Sequence, residues 1–315
     1  MTATAAATAP LLRDVTLRDG LQDESPISTG DKLAIYGALV SAGVGELELT
    51  SFVRPDRVPA MADAEALAAA TAGATVPVRW ALVLNPRGAE RALDAGLSHL
   101  QFVVSVSERH SLENAGRTTA QALRELDDLV SLARTRDAKV EVTLSTSFGC
   151  PFSGPVPPEQ VLATVDRALE SGVAGLALAD TIGTAVPTEV RFLVAGAVGR
   201  AGKVPVGIHL HDTRGLAIAN ALVALEAGAV RVDGAVGGLG GCPFAPGASG
   251  NLALEDLAYG LEAMGIPTGL DLDLLIVAAR LACRLVGREV GSHVGRAGPR
   301  FANTPFAAER GEVAS

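Results

Sequence analysis

Four times in this chain an Ala/Leu-rich stretch closes on a small residue and a glycine, then turns straight into an apolar run: "SAGV", "DAGL", "ESGV" and "EAGA", with glycines at 43, 96, 172 and 228. A glycine in that place suits a helix C-terminus, where the left-handed backbone costs a residue without Cβ little. The stretches before them, "DKLAIYGALVSAG", "RGAERALDAG", "PEQVLATVDRALESG" and "AIANALVALEAG", carry helical spacing. The β-branched and apolar runs "LLRDVTL", "GELELTSF", "VRWALVLN", "LQFVVSVS", "KVEVTLST", "GLALADTI", "VPVGIHLHD" and "VRVDGAV" form eight candidate strands. Strand and helix alternate throughout, which predicts one parallel β/α array whose strands are apolar on both faces under a cover of helices. Eight units close a (β/α)8 TIM barrel, whereas open doubly wound sheets usually hold fewer strands.

The 315 residues, 48% hydrophobic, suffice for one large barrel without a break between domains. Residues 1–10 are expected to be a flexible leader, 11–270 the catalytic barrel, and 271–315 a C-terminal helical extension and tail of the same domain. A net charge of -9 with no Lys/Arg block argues against nucleic acid or an anionic membrane and for a small-molecule partner. The opening "MTATAAATAP" has neither basic residues nor a long apolar core, and "LLIVAARLACRLVG" is cut by Arg280 and Arg284, so no export signal or membrane span is expected. Three widely spaced cysteines, Cys150, Cys242 and Cys283, match no disulfide or zinc framework and suit a reducing cytoplasm. No glycine-rich dinucleotide fingerprint follows an early strand; the glycine-rich segment comes after the eighth.

In such a barrel, chemistry gathers where the strands give way to loops at their C-terminal ends. The first strand there delivers Arg18, Asp19, Gln22 and Glu24, the second Glu48, Thr50 and Ser51, the sixth Asp180, the seventh "HLHDT", and the eighth "VGGLGGCPFAPGASGN" with Cys242 and Asn251. Residues i and i+2 on a strand share a face, so His209 and His211 are predicted to project together into the mouth, with Leu210 turned to the helices. Asp19 is a candidate third ligand and Asn251 a candidate neutral oxygen. Such a set suits Mg²⁺ or Mn²⁺; zinc remains an alternative, less favoured without a thiolate. Against these stand blander readings: a hydrogen-bonded histidine pair, an Arg18–Asp19 ion pair, a buried inert Cys242, and glycines that only tighten a loop. His99, His110 and His293 are expected to be structural, with His110 opening a long polar loop.

Together, "RDGLQDE", "ELTSFV" with "VPAMAD", "FGCPF", "ADTIG", "HLHDTRGLAIAN" and, most specifically, "GLGGCPFAPGASGNLALEDL" resemble the 3-hydroxy-3-methylglutaryl-CoA lyase family of the DRE-TIM metallolyases, over residues 11 to 290. The resemblance implies that Asp19, His209, His211 and Asn251 ligate a divalent metal, that Arg18 stabilises an enolate, and that Cys242 sits on a mobile loop. Asp180, Glu48 and Gln22 match residues lining the same pocket, and Ser51 ends the strand beside them. The implied enzyme is a carbon–carbon lyase that cleaves 3-hydroxy-3-methylglutaryl-CoA or a related 3-hydroxyacyl-CoA to acetyl-CoA and a keto acid. A homodimer or higher oligomer is implied by likeness.

Breaking the C2–C3 bond requires the tertiary hydroxyl to lose a proton while the departing carbon becomes a thioester enolate. A metal lowers the alcohol's pKa, Arg18 serves the thioester oxygen, and Cys242 is a candidate acid for the enolate carbon. Asp19, Asp180 and His209 are the candidate proton acceptors. "DVTLRDG", "RPDR" and "GAVGGLGG" depart from the commonest lyase pattern and leave the acyl group open. A Claisen-type condensing enzyme is the alternative, opposed by the cysteine loop; a barrel that binds without turnover would be expected to lack a ligand or Arg18, and none is lost.

Overall fold

The computed structural model describes residues 9–241 and 250–300. Eight parallel strands close in sequence order: β1 (Leu11–Asp14), β2 (Glu46–Ser51), β3 (Val78–Val83), β4 (His99–Ser105), β5 (Lys139–Ser145), β6 (Gly175–Asp180), β7 (Val206–Leu210) and β8 (Arg231–Gly234), with β8 pairing back onto β1. Around them run α1 (Thr29–Ser41), α2 (Ala64–Ala70), α3 (Pro86–Asp94), α4 (Glu108–Ala115), α5 (Thr119–Thr135), α6 (Pro158–Glu170), α7 (Pro187–Ala201), α8 (Ala217–Glu226) and α9 (Leu254–Ala263). After them come α10 (Leu272–Leu285) and the short α11 (His293–Ala297). This is the TIM barrel that the sequence predicts. Glycines 43, 96, 172 and 228 all lie at positive φ, between 77° and 102°, each just past a helix end. Among the described residues no helix is long and apolar enough to cross a membrane.

Three expectations change. The first strand stops at Asp14, and Thr16–Gly20 winds into a single π-helical turn closed by the Gly20 amide on the Val15 carbonyl. The Asp14 carboxylate starts this turn by accepting from the Thr16 amide (2.9 Å) and hydroxyl (2.7 Å). Arg18 and Asp19 therefore ride on a π-turn, a feature frequent at functional sites, and not on a strand. Second, His110 does not open a polar loop: Ser107 accepts from its amide as an N-cap, Gly116 at φ 65° ends the turn, and 108–115 is helical.

Third, the strands are not apolar on both faces throughout. Leu100, Phe102, Val104, Val140, Val142 and Leu144 join the helix-facing core, but the lumen holds a charged network. Arg13 on β1 reaches across to Glu141 on β5 (3.0 Å) and also pairs with Glu46 (2.9 Å); Arg231 joins Glu141 to Asp233. Trp80 donates to Glu46 (3.0 Å) and lies under the Arg13 guanidinium. Each charge is tolerated here because a neighbour of opposite sign meets it.

Burial lifts both Asp14 on β1 and Glu255 on α9 to about 7, with a smaller push from a nearby carboxylate in each case, Glu255 on Asp14 and Asp256 on Glu255. Glu255 accepts from the Gly237 amide (2.9 Å). An acid whose folded pKa exceeds its unfolded one binds more protons when folded, so its contribution favours the fold at low pH and is lost as pH rises from about 4 to 7. Glu255→Gln is accordingly expected to flatten the fall in chemical-denaturation stability between pH 5 and 8, by about 1.4 kcal/mol for each pKa unit removed. An unchanged pH slope would contradict this assignment.

Candidate active site

The two histidines at the end of β7 behave as their spacing predicts: the rings of His209 and His211 lie 5.1 Å apart, while Leu210 is buried in the core. A carbonyl can only accept, so the contact from His211 Nδ1 to the Asp180 carbonyl (3.1 Å) puts the proton on Nδ1 and leaves Nε2 as a lone-pair donor. Nε2 then has no hydrogen-bond donor directed at it among the described residues, although it is buried. His209 turns Nδ1 to Asp233 (3.6 Å), the end of the lumen's ion network, and points Nε2 at Asp19 (3.9 Å). Burial works against charge on this ring, yet Asp233 and Asp19 outweigh it and raise its pKa.

Asp19, carried in by the π-turn, faces both imidazoles, with Oδ2 3.5 Å from His211 Nε2. Burial alone would favour its neutral form, but Arg18 and the two histidines hold it well below the usual carboxylate range. Ligand atoms of Asp19, His209 and His211 all lie within 4.8 Å of one another. Asn251, paired with His211 in an isolated backbone bridge, donates to Asp19 Oδ2 (2.8 Å) and to the Leu239 carbonyl (3.0 Å), and leaves its own Oδ1 buried without a hydrogen-bond partner among the described residues. A cluster of one carboxylate, two oriented imidazoles and two orphaned acceptor atoms fits a divalent cation. The preceding glycines are more than a tight loop: a Cβ on Gly240, at φ 109°, would come within 2.5 Å of Asn251 Nδ2.

Arg18 is 7% exposed and pairs through Nε with Glu48 and through Nη1 with Asp19. Desolvation opposes its charge, but Glu48 and Asp19 outweigh this and raise its pKa, so it stays a cation. Arg18, Asp19, Gln22, Ser51, His209 and His211 share one cavity of about 1410 Å³ at the C-terminal mouth. Glu48 is placed behind Arg18, fully buried. Asp180 is placed differently from its expected part in the pocket: both carboxylate oxygens accept backbone amides, of Thr184 and Ala185 (2.9 Å each), and it is the backbone carbonyl that meets His211. Cys242 lies outside the described residues.

The sequence reading missed other cavity residues. Gln101, Val103, Thr143 and Ser145 face the cavity from β4 and β5, and so does His110 from α4. Burial holds the His110 imidazole neutral, its pKa pushed down to about 4, and its Nδ1 meets the Ser105 hydroxyl (2.7 Å). The signal was present as polar residues at alternate positions, Gln101, Ser105 and Ser107 in "LQFVVSVS" and Lys139, Glu141, Thr143 and Ser145 in "KVEVTLST", broken only by Val103.

A candidate cation cluster beside a buried arginine, at the C-terminal rim where TIM barrels carry their chemistry, is what fold and geometry define. Residues 9–282 match the family model described as HMGL-like, and the chain belongs to that family. It is 40% identical over 299 residues to the (R)-citramalyl-CoA lyase of Chloroflexus aurantiacus, covering 91% of this chain and 94% of that protein. It is 39% identical to the hydroxymethylglutaryl-CoA lyase YngG of Bacillus subtilis, covering 89% and 94%. Among solved structures, an HMG-CoA lyase from Acinetobacter baumannii in complex with coenzyme A and 3-methylmalate superposes with a TM-score of 0.90 at 36% identity, over 94% of this chain and 97% of that one.

Proposed function

We propose that this protein is a divalent-metal-dependent acyl-CoA lyase that cleaves 3-hydroxy-3-methylglutaryl-CoA, or a related 3-hydroxyacyl-CoA, to acetyl-CoA and a keto acid. The observation that carries the reading is the convergence of Asp19, His209 and His211 beside the Arg18 guanidinium in one cavity. The names of the relatives support the same chemistry.

Asp19, His209 and His211 would hold the cation, with Asn251 Oδ1 as a further oxygen; Mg²⁺ or Mn²⁺ suits this oxygen and imidazole set. When bound, the cation supplies a Lewis acid that eases ionisation of the tertiary hydroxyl. Arg18, fixed by Glu48 and Asp19, donates to the thioester oxygen as the bond to C3 breaks, a role worth about 3 to 4 kcal/mol by comparison with known oxyanion donors. Gln22 and Ser51 line the same cavity and serve substrate binding. The amides that occupy both Asp180 oxygens disfavour it as the base and favour a positioning part through His211; His209, with Nε2 toward the cation and Nδ1 facing Asp233, has no free lone pair, which leaves Asp19 as the candidate acceptor of the hydroxyl proton. Cys242 is assigned the return of a proton to the enolate carbon.

Incubation of the enzyme with Mg²⁺ and either 3-hydroxy-3-methylglutaryl-CoA or citramalyl-CoA is expected to release acetyl-CoA. A chelator should reduce the rate at least a hundredfold, and added Mg²⁺ or Mn²⁺ should restore it. Turnover indifferent to the chelator would contradict the metal assignment, and no acetyl-CoA from either thioester would contradict the lyase.

A further inference from the structure

Two of the segments that bring oxygen atoms to the cation cluster are tied together by a residue that stands outside the cavity. Thr16 opens the π-turn and is fully buried. Its Oγ1 accepts the amide of Val236, first residue of the turn at 236–238 after β8 (2.9 Å), and donates to Asp14 Oδ2 (2.7 Å), whose other oxygen holds the Thr16 amide. The Val236 N–H can only donate, so Thr16 Oγ1 serves as its acceptor whether Asp14 is ionised or neutral. From this turn the chain runs to Leu239, whose carbonyl accepts both the backbone amide (3.2 Å) and the side-chain amide (3.0 Å) of Asn251, and Asn251 in turn donates to Asp19 Oδ2 (2.8 Å). Asp19 lies on the same π-turn as Thr16, so the path closes into a ring: Thr16, Val236, Leu239, Asn251, Asp19 and back along the backbone. The two segments also meet closely, since a Cβ on Gly240 would come within 3.2 Å of the Asp19 carbonyl oxygen and one on Gly20 within 3.4 Å of Leu239 Cβ.

We propose that Thr16 is a positioning residue for the cation site: by clamping the π-turn to the turn after β8, its hydroxyl sets the spacing of Asp19 and Asn251, and with it the affinity for the cation. This rests on the metal assignment above and adds to it what holds the oxygen ligands in register. A buried amide deprived of its acceptor is costly, so loss of the Thr16 oxygen is relieved by separation of the two turns. Cations of the Mg²⁺ type tolerate little departure from ideal ligand geometry, and such a separation is read as lost affinity. His209 and His211 enter from the end of β7 and are oriented by Asp233 and the Asp180 carbonyl, so the defect falls on the oxygen side of the site.

The test is calorimetric titration of the full chain with Mn²⁺, at a temperature well below the melting point of each variant. Thr16→Val keeps the branched shape and removes the hydroxyl. It is expected to weaken Mn²⁺ binding at least tenfold, in the range of about 10- to 100-fold seen when the partners of metal ligands are removed, while Thr16→Ser, which retains the hydroxyl, stays within about threefold of wild type. Thr16→Ala removes the oxygen without setting a methyl against the Val236 amide and the Asp14 carboxylate, and gives the same reading should Thr16→Val fold poorly. A merely structural Thr16 predicts a lower melting temperature with unchanged affinity in the folded variant, and that result overturns the proposal. So does a Thr16→Ser variant that binds as weakly as Thr16→Val. A wild-type chain that binds no Mn²⁺ overturns the metal assignment and the proposal with it. Because the titration needs no substrate, failure to release acetyl-CoA from either thioester overturns the lyase reading alone.

Discussion

Replacing Arg18 with glutamine is expected to lower kcat by about two to three orders of magnitude, the cost of removing one donor to a developing oxyanion, while a divalent cation still binds. The reason lies in how Arg18 is held. Its Nε is engaged by the buried Glu48 and one Nη by Asp19, so the guanidinium is fixed before any substrate arrives. A shorter neutral amide cannot span these partners, and it leaves the Glu48 carboxylate buried without a counter-charge. The same substitution is therefore expected to cost about 3 to 5 kcal/mol of stability, as when one partner of a buried ion pair is deleted. Kinetics run well below the variant's melting temperature separate the two effects, and calorimetric titration with Mn²⁺ checks that the cation site persists. A kcat within tenfold of wild type would refute the enolate role.

His211→Ala is expected to act at the other half of the site. Its Nε2 is a buried lone pair with no hydrogen-bond partner among the described residues, and the Asp180 carbonyl fixes the tautomer that makes it so. Outer-shell partners of metal ligands already cost about 10- to 100-fold in affinity when removed, so deletion of a ligand is expected to weaken Mn²⁺ binding more than a hundredfold and to abolish turnover at low metal. Titration calorimetry gives the affinity. An unchanged value would remove His211 from the ligand set.

Much of this was legible in the chain because it depends on local periods. Alternation of β-branched runs with Gly-ended helices specifies the barrel, and the i, i+2 spacing of His209 and His211 specifies their shared face. Asp19 was readable as a partner of the histidines only by assuming closure of β8 onto β1. Its route there was not: the π-turn depends on Asp14 drawing the Thr16 amide and hydroxyl off the strand path, a side-chain contact that a two-residue period does not encode. The charged lumen was also hidden, because Arg13 and Glu141 are 128 positions apart and their pairing exists only across the closed barrel. Asp180 shows the same limit: a carboxylate at a strand end has a chemical reading, while the amides of Thr184 and Ala185 that it accepts are contacts no period encodes.

The charged lumen also bears on the site above it. Arg231 holds Asp233, and Asp233 faces His209, so the network that fills the barrel floor continues into the cation cluster. The His209 ring, set with Nδ1 3.6 Å from Asp233 Oδ2, thus has its orientation tied to the packing of the barrel interior.

Anomalous diffraction from crystals grown with Mn²⁺ probes the central assignment most directly. The expected result is one strong peak at the C-terminal mouth, within bonding distance of an Asp19 carboxylate oxygen and the Nε2 atoms of both His209 and His211. A peak bound by other residues, or a cavity without one at saturating Mn²⁺, would contradict it.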